Sequence, residues 1–93
     1  MNYQNINFKL LTNKKKIMEL DVFVQKFAEQ FDETPIDKFM ADTEFKSLKE
    51  WGSLNALAII SMVDEEFSVS LTGDDIKASG TIQELFERVK SRL

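Results

Sequence analysis

Residues 51–67, Trp51-Gly52-Ser53-Leu54-Asn55-Ala56-Leu57-Ala58-Ile59-Ile60-Ser61-Met62-Val63-Asp64-Glu65-Glu66-Phe67, decide how this chain is read. Ala56, Ile59, Ile60, Val63 and Phe67 recur at three- and four-residue spacing, which places them on one face of a helix. Leu54, Leu57 and Met62 carry the apolar surface around much of the circumference, the pattern of a helix central to a bundle. The spacing predicts a helix from about Ser53 to Phe67, closed by the acidic cluster Asp64-Glu65-Glu66.

Towards the N-terminus, residues 32–52 form a long connection that contains Ile36, Phe39, Met40, Phe45, Leu48 and Trp51. A connection this apolar is expected to lie on the core. Short helical turns are expected near Ile36–Met40 and Phe45–Leu48. Ahead of it, Ile17, Leu20, Val24, Phe27, Ala28 and Phe31 form a second helical stripe, widened by Phe23. That helix is expected over residues 18–31. Glu33-Thr34-Pro35 ends it, because a residue before proline is pushed out of the α region. Residues 1–16 show no periodicity and read as a flexible N-terminal extension.

Towards the C-terminus, Val69 and Leu71 lead into a short piece, residues 73–78. Thr72 and Asp75 have the spacing of a capping box, and Thr81 and Glu84 repeat it after Gly80. A last helix carries Ile82, Leu85, Phe86, Val89 and Leu93 on one stripe. Arg88, Lys90 and Arg92 fall near its end, where cations suit the helix dipole. The whole is an all-α fold, a small antiparallel four-helix bundle. It has three main helices, one short helix, and a long loop between the first and second. The folded domain is expected over residues 17–93.

Composition removes most enzyme designs. The 93 residues include no cysteine and no histidine, which excludes thiolate nucleophiles, Ser-His-Asp chemistry and Cys- or His-bound metals. The three glycines, at positions 52, 73 and 80, are spaced too far apart for a phosphate-binding loop of the GxGxxG or GxxxxGK type. The remaining carboxylates, lysines and hydroxyls form no convincing catalytic pair, so the chain is not expected to be an enzyme.

The net charge is −4 and unevenly spread. Residues 1–16 hold four lysines and no acid, while residues 17–93 hold eight basic and sixteen acidic residues. An acidic domain repels nucleic-acid phosphates and favours basic protein partners. Lys14-Lys15-Lys16, without interleaved aromatics, reads as a solvated run and not as a nucleic-acid arm. No apolar run approaches the length of a membrane span, and no signal peptide is evident. The expectation is a cytoplasmic monomer.

Ser53 is the residue with the most chemical interest. It stands where the chain turns into the central helix, close to the first free backbone N–H groups. The field there favours a phosphate ester by about 0.3–1 kcal/mol. A serine at such a position is also a commonplace helix cap.

The order of these features resembles an acyl carrier protein. The residues that carry the likeness are Phe45, Leu48 and Trp51-Gly52-Ser53-Leu54. They continue through Leu57, Ile60, Val63, Asp64-Glu65-Glu66-Phe67, Val69 and Leu71 to Thr81-Ile82-Gln83-Glu84-Leu85. About four-fifths of the chain is covered, from Met18 to Val89. The resemblance implies a 4'-phosphopantetheine arm on Ser53, installed from coenzyme A by a phosphopantetheinyl transferase. The arm's thiol would carry acyl intermediates as thioesters in fatty-acid, polyketide or related biosynthesis. It further implies that Leu54, Ala58, Ser61, Asp64 and Glu65 face acyl-loading and acyl-processing enzymes with basic docking patches.

The sequence departs from the family at Gly52, where members carry an aspartate before the serine. Asn55 and Ala58 also stand where fatty-acid carriers often show acids, so acid is concentrated at Asp64, Glu65 and Glu66. The alternative is an unmodified carrier-like interaction module with no covalent cargo. Asp64-Glu65-Glu66 with Asp74-Asp75 lacks EF-hand spacing and reads as solvated acids, not a cation site. Trp51 and Phe45 read as loop residues packed on the core, Met40 and Met62 as gap-fillers.

Overall fold

A computed structural model describes residues 20–93. The extension 1–16 and the expected start of the first helix at residues 17–19 lie outside the described residues. Helix α1 is described over residues 20–28, α2 spans Ser53–Phe67, α3 Gly73–Ala78 and α4 Ile82–Lys90. Two 3₁₀ turns, Ile36–Lys38 and Phe45–Ser47, lie in the loop between α1 and α2. No strand occurs among the described residues. The architecture is the expected one: three main helices, one short helix and a long first loop.

Each boundary has a local cause. The Thr72 hydroxyl accepts the Asp75 N–H while the Asp75 carboxylate accepts the Thr72 N–H, a reciprocal capping box that starts α3. At α4 the Thr81 hydroxyl accepts the Glu84 N–H, but the Glu84 carboxylate accepts the N–H of Gly80 at 2.6 Å. The second box is therefore shifted one residue upstream of the expected pattern. Ser68 closes α2 in the left-handed region, φ 56°.

Helix α1 stops earlier than Phe31. Gln30 and Phe31 donate to Phe27 and Ala28, a tightening to three-residue spacing. The next three N–H groups, of Asp32, Glu33 and Thr34, turn instead to the carboxylate of Glu50. A distant acceptor, and not Pro35 alone, thus keeps the chain from continuing the helix beyond Phe31.

The core is strongly aromatic. Phe23, Phe27, Phe31, Phe39, Phe45 and Phe86 are buried with Ile59, Val63, Ile82, Leu85 and Val89. Phe45 meets Phe27 edge-on at 5.2 Å and Trp51 at 5.1 Å, so the long loop does lie on the core. Its carbonyls at Ala41 and Thr43 accept the N–H groups of Gln83 and Ile82, which satisfies the first turn of α4. Helix α1 runs antiparallel to α2: Asn55 donates to the Gln30 carbonyl at one end, and Phe23 packs on Phe67 at 5.8 Å at the other.

Three expectations about side chains are corrected. Met40 is exposed and fills no gap, whereas Met62 is buried as expected. Leu93 lies beyond the end of α4 and is exposed. Helix α2 is not enclosed all round: Leu54 is 83% exposed and Leu57 60% exposed. Ile59, Met62 and Val63 bury the opposite side, and three main helices leave α2 with an open flank.

Candidate functional site

The site is the head of α2 and the flank below it. Gly52 is the N-cap, in extended conformation, with no side chain to accept from the first turn. Ser53 is therefore the first helical residue and not the cap, and it is exposed. The first bonded amide of the helix is that of Ala56, which donates to the Gly52 carbonyl at 3.1 Å. The N–H groups of Ser53, Leu54 and Asn55 precede it and have no intrahelical acceptor. No acid occupies the first turn. The result is a primary hydroxyl in solvent beside three free donors, a setting that favours a phosphate ester on that oxygen.

Leu54, Ala58, Ser61 and Glu65 recur at helical spacing and share one side of α2 with Leu57 and Asp64. Leu54, Ser61, Asp64 and Glu65 are exposed and Ala58 is half-buried. Ala58, Ser61 and Glu65 also line a shallow cleft of about 280 Å³ between α1 and α2, together with Lys26 and Gln30. Glu66 points to Lys26 across this cleft at 3.8 Å, a loose and exposed contact of little weight. Asp64 and Glu65 form no ion pair among the described residues. The flank thus combines two exposed leucines at the serine end with acid at the far end.

Asp75 behaves differently from the solvated acid expected of it. It is buried and accepts from Arg92, with Arg88 at 3.5 Å. The Arg92 guanidinium and the Thr72 N–H hold its carboxyl far below the usual carboxylate range. Arg88 and Arg92 therefore serve Asp75, where the sequence suggested only the α4 dipole. Among the described residues no group of acids is arranged to hold a metal ion.

The loop before Ser53 holds an element that the sequence reading missed. Glu50 accepts the Thr34 hydroxyl at 2.6 Å and the N–H groups of Asp32, Glu33 and Thr34 at 2.8, 3.1 and 2.9 Å. The Thr34 hydroxyl, followed by the three backbone donors, lowers the Glu50 pKa. Its partners lie sixteen to eighteen positions away, so no local pattern could have flagged it. Likewise Lys46 donates to the carbonyls of Ile76 and Lys77 and caps the end of α3 from the loop.

Comparison of the chain with models of known protein families, with curated proteins and with solved structures finds no match in any of the three. No helix among the described residues is long and apolar enough to cross a membrane.

Proposed function

We propose that this protein is an acyl carrier: Ser53 receives a 4'-phosphopantetheine arm, and the arm presents acyl thioesters to partner enzymes in the cytoplasm. The observation that carries the reading is the exposed Ser53 hydroxyl at the uncapped head of α2. The free N–H groups beside it favour the phosphodiester that the modification creates. The order of elements supports the same reading: a first helix, a long core-packed loop, the serine-headed helix, a short helix and a last helix. The absence of cysteine from the chain suits a carrier whose reactive thiol resides in the prosthetic group.

The chain does no bond chemistry of its own in this role. Ser53 supplies the acceptor oxygen, and the transferase moves the phosphopantetheinyl group from coenzyme A to it, releasing the adenosine bisphosphate. Leu54 and Leu57 supply apolar contact close to the arm, and Asp64 and Glu65 supply charge for a basic patch on the enzyme. The same face is expected to meet the transferase, the acyl-loading enzymes and the acyl-processing enzymes in turn.

Gly52 favours a second reading, an unmodified interaction module that uses the same flank. The test is the intact mass of the chain after incubation with coenzyme A and a broad-specificity phosphopantetheinyl transferase. The carrier reading expects one added phosphopantetheinyl group, absent from Ser53→Ala. A wild-type chain that stays unmodified favours the interaction module.

A further inference from the structure

The head of α2 lacks the side-chain anchor that an N-cap residue ordinarily supplies, since Gly52 offers no acceptor. The nearest polar anchor upstream is Glu50. Its two carboxylate oxygens take four hydrogen bonds from a single segment: Asp32 N–H on Oε2, and Glu33 N–H, Thr34 N–H and the Thr34 hydroxyl on Oε1. Successive backbone N–H groups curved around an anion make a strong, geometrically specific cradle. One end of this clasp is the chain leaving α1. The other end is three residues from Ser53.

The intervening residues transmit the constraint. Trp51 packs against Phe31 at 6.2 Å and Phe45 at 5.1 Å, and its N–H donates to the Leu48 carbonyl. Gly52 then adds no side-chain anchor before the helix. A Cβ there would meet nothing nearer than Asn55 Oδ1 at 3.9 Å. Asn55 in turn reaches back to the Gln30 carbonyl, so the first turn of α2 and the end of α1 are tied on both sides of Ser53.

We infer that Glu50 is the positioning residue of Ser53: by clasping residues 32–34 it holds the start of α2 against the end of α1, replacing the missing N-cap anchor. The inference rests on the carrier reading for its kinetic consequence, while the clasp itself is independent of it. In this role Glu50, bonded to residues 32–34, acts through the backbone of residues 51–53.

The test compares the full wild-type chain with Glu50→Gln. Glutamine keeps the length and one acceptor oxygen, but it loses the charge and turns an NH2 donor towards the Asp32 N–H that Oε2 accepted. Two quantities are read: the kinetics of phosphopantetheine transfer to Ser53, and amide hydrogen exchange. The expected result is a fall in kcat of about tenfold with KM for the chain changed by less than about twofold, the signature of a misplaced acceptor. Exchange should quicken at Asp32, Glu33, Thr34 and Ala56 and stay unchanged at Val89 in α4. Adding Gly52→Asp to Glu50→Gln should recover most of the lost kcat, because an N-cap side chain re-anchors the turn. An unchanged kcat and Ala56 exchange in Glu50→Gln overturns the inference, as does a uniform rise in exchange through α4. If the wild-type chain accepts no phosphopantetheine, the carrier reading fails, and Ala56 exchange alone then decides the role of Glu50.

Discussion

Arg92 donates from both terminal nitrogens to Asp75, Nη1 to Oδ2 at 2.8 Å and Nη2 to Oδ1 at 2.6 Å, in a two-pronged pair. The same carboxylate completes the capping box of α3, and Arg92 also donates to the Ser70 carbonyl. One buried acid thus joins the short helix to the segment that follows α4. Substituting Asp75→Asn should cost about 1.5–3 kcal/mol, the worth of hydrogen bonds to a charged group. The urea midpoint of the variant at pH 7 measures this directly.

The pH dependence has a defined sign. The native Asp75 pKa is depressed by Arg92 and Thr72, so its contribution is complete above the unfolded value of about 4 and drains away as pH falls below it. Urea midpoints of wild type and Asp75→Asn should therefore differ most near neutrality and converge in acid. A constant gap down to pH 2 would place the stabilisation elsewhere.

Gly52→Asp should improve the protein in two ways. It adds an N-cap acceptor for the first turn of α2 and removes glycine's freedom in the unfolded chain. The site is open and its extended backbone suits any residue. A gain of about 0.5–1 kcal/mol is expected in denaturant melts. The rate of phosphopantetheine transfer to Ser53 should rise, since the start of α2 is held more firmly.

Phe45 is fully buried and lies edge-on to both Phe27 and Trp51. Phe45→Ala should destabilise the fold by about 3–5 kcal/mol through loss of burial and the cavity left behind. Trp51 is the only tryptophan. Its fluorescence therefore reports the change, and its emission should shift to the red in the folded variant as the ring loses cover.

Glu65→Lys reverses charge on the outer flank of α2, where the side chain is exposed. Stability should change by less than about 0.5 kcal/mol, as for surface sites away from packing. Binding to a transferase or acyl-processing enzyme should weaken mainly through a slower association rate, with a reduced dependence on salt. Leu54→Ala should instead speed dissociation, because it removes apolar contact and leaves the charge field intact.

Local chemistry was legible in the amino-acid order. The apolar spacing of residues 53–67 set the extent of α2, and Thr72 with Asp75 announced the start of α3. Phe39, Phe45 and Trp51 marked the first loop as part of the core. The placement of Ser53 at the head of α2 was legible too, because the helix and capping signals act between residues three or four positions apart. Such contacts form wherever the chain is helical, whatever surrounds it.

Tertiary structure decided the rest. Beyond Phe31 the amides of residues 32–34 turn to Glu50 instead of continuing α1, and buried Asp75 is met by Arg92 from seventeen positions away. Neither partnership has a periodic or local trace. Leu57 matches the apolar residues that enter the core, yet it faces solvent beside Leu54, whose outward place the resemblance implied, since the packing of a three-helix core chooses which side of α2 is covered. Residue type determined which segments become helices and where α2, α3 and α4 begin. Only the meeting of distant segments determined which charges are sequestered, that Leu57 remains outside and that Glu50 clasps residues 32–34.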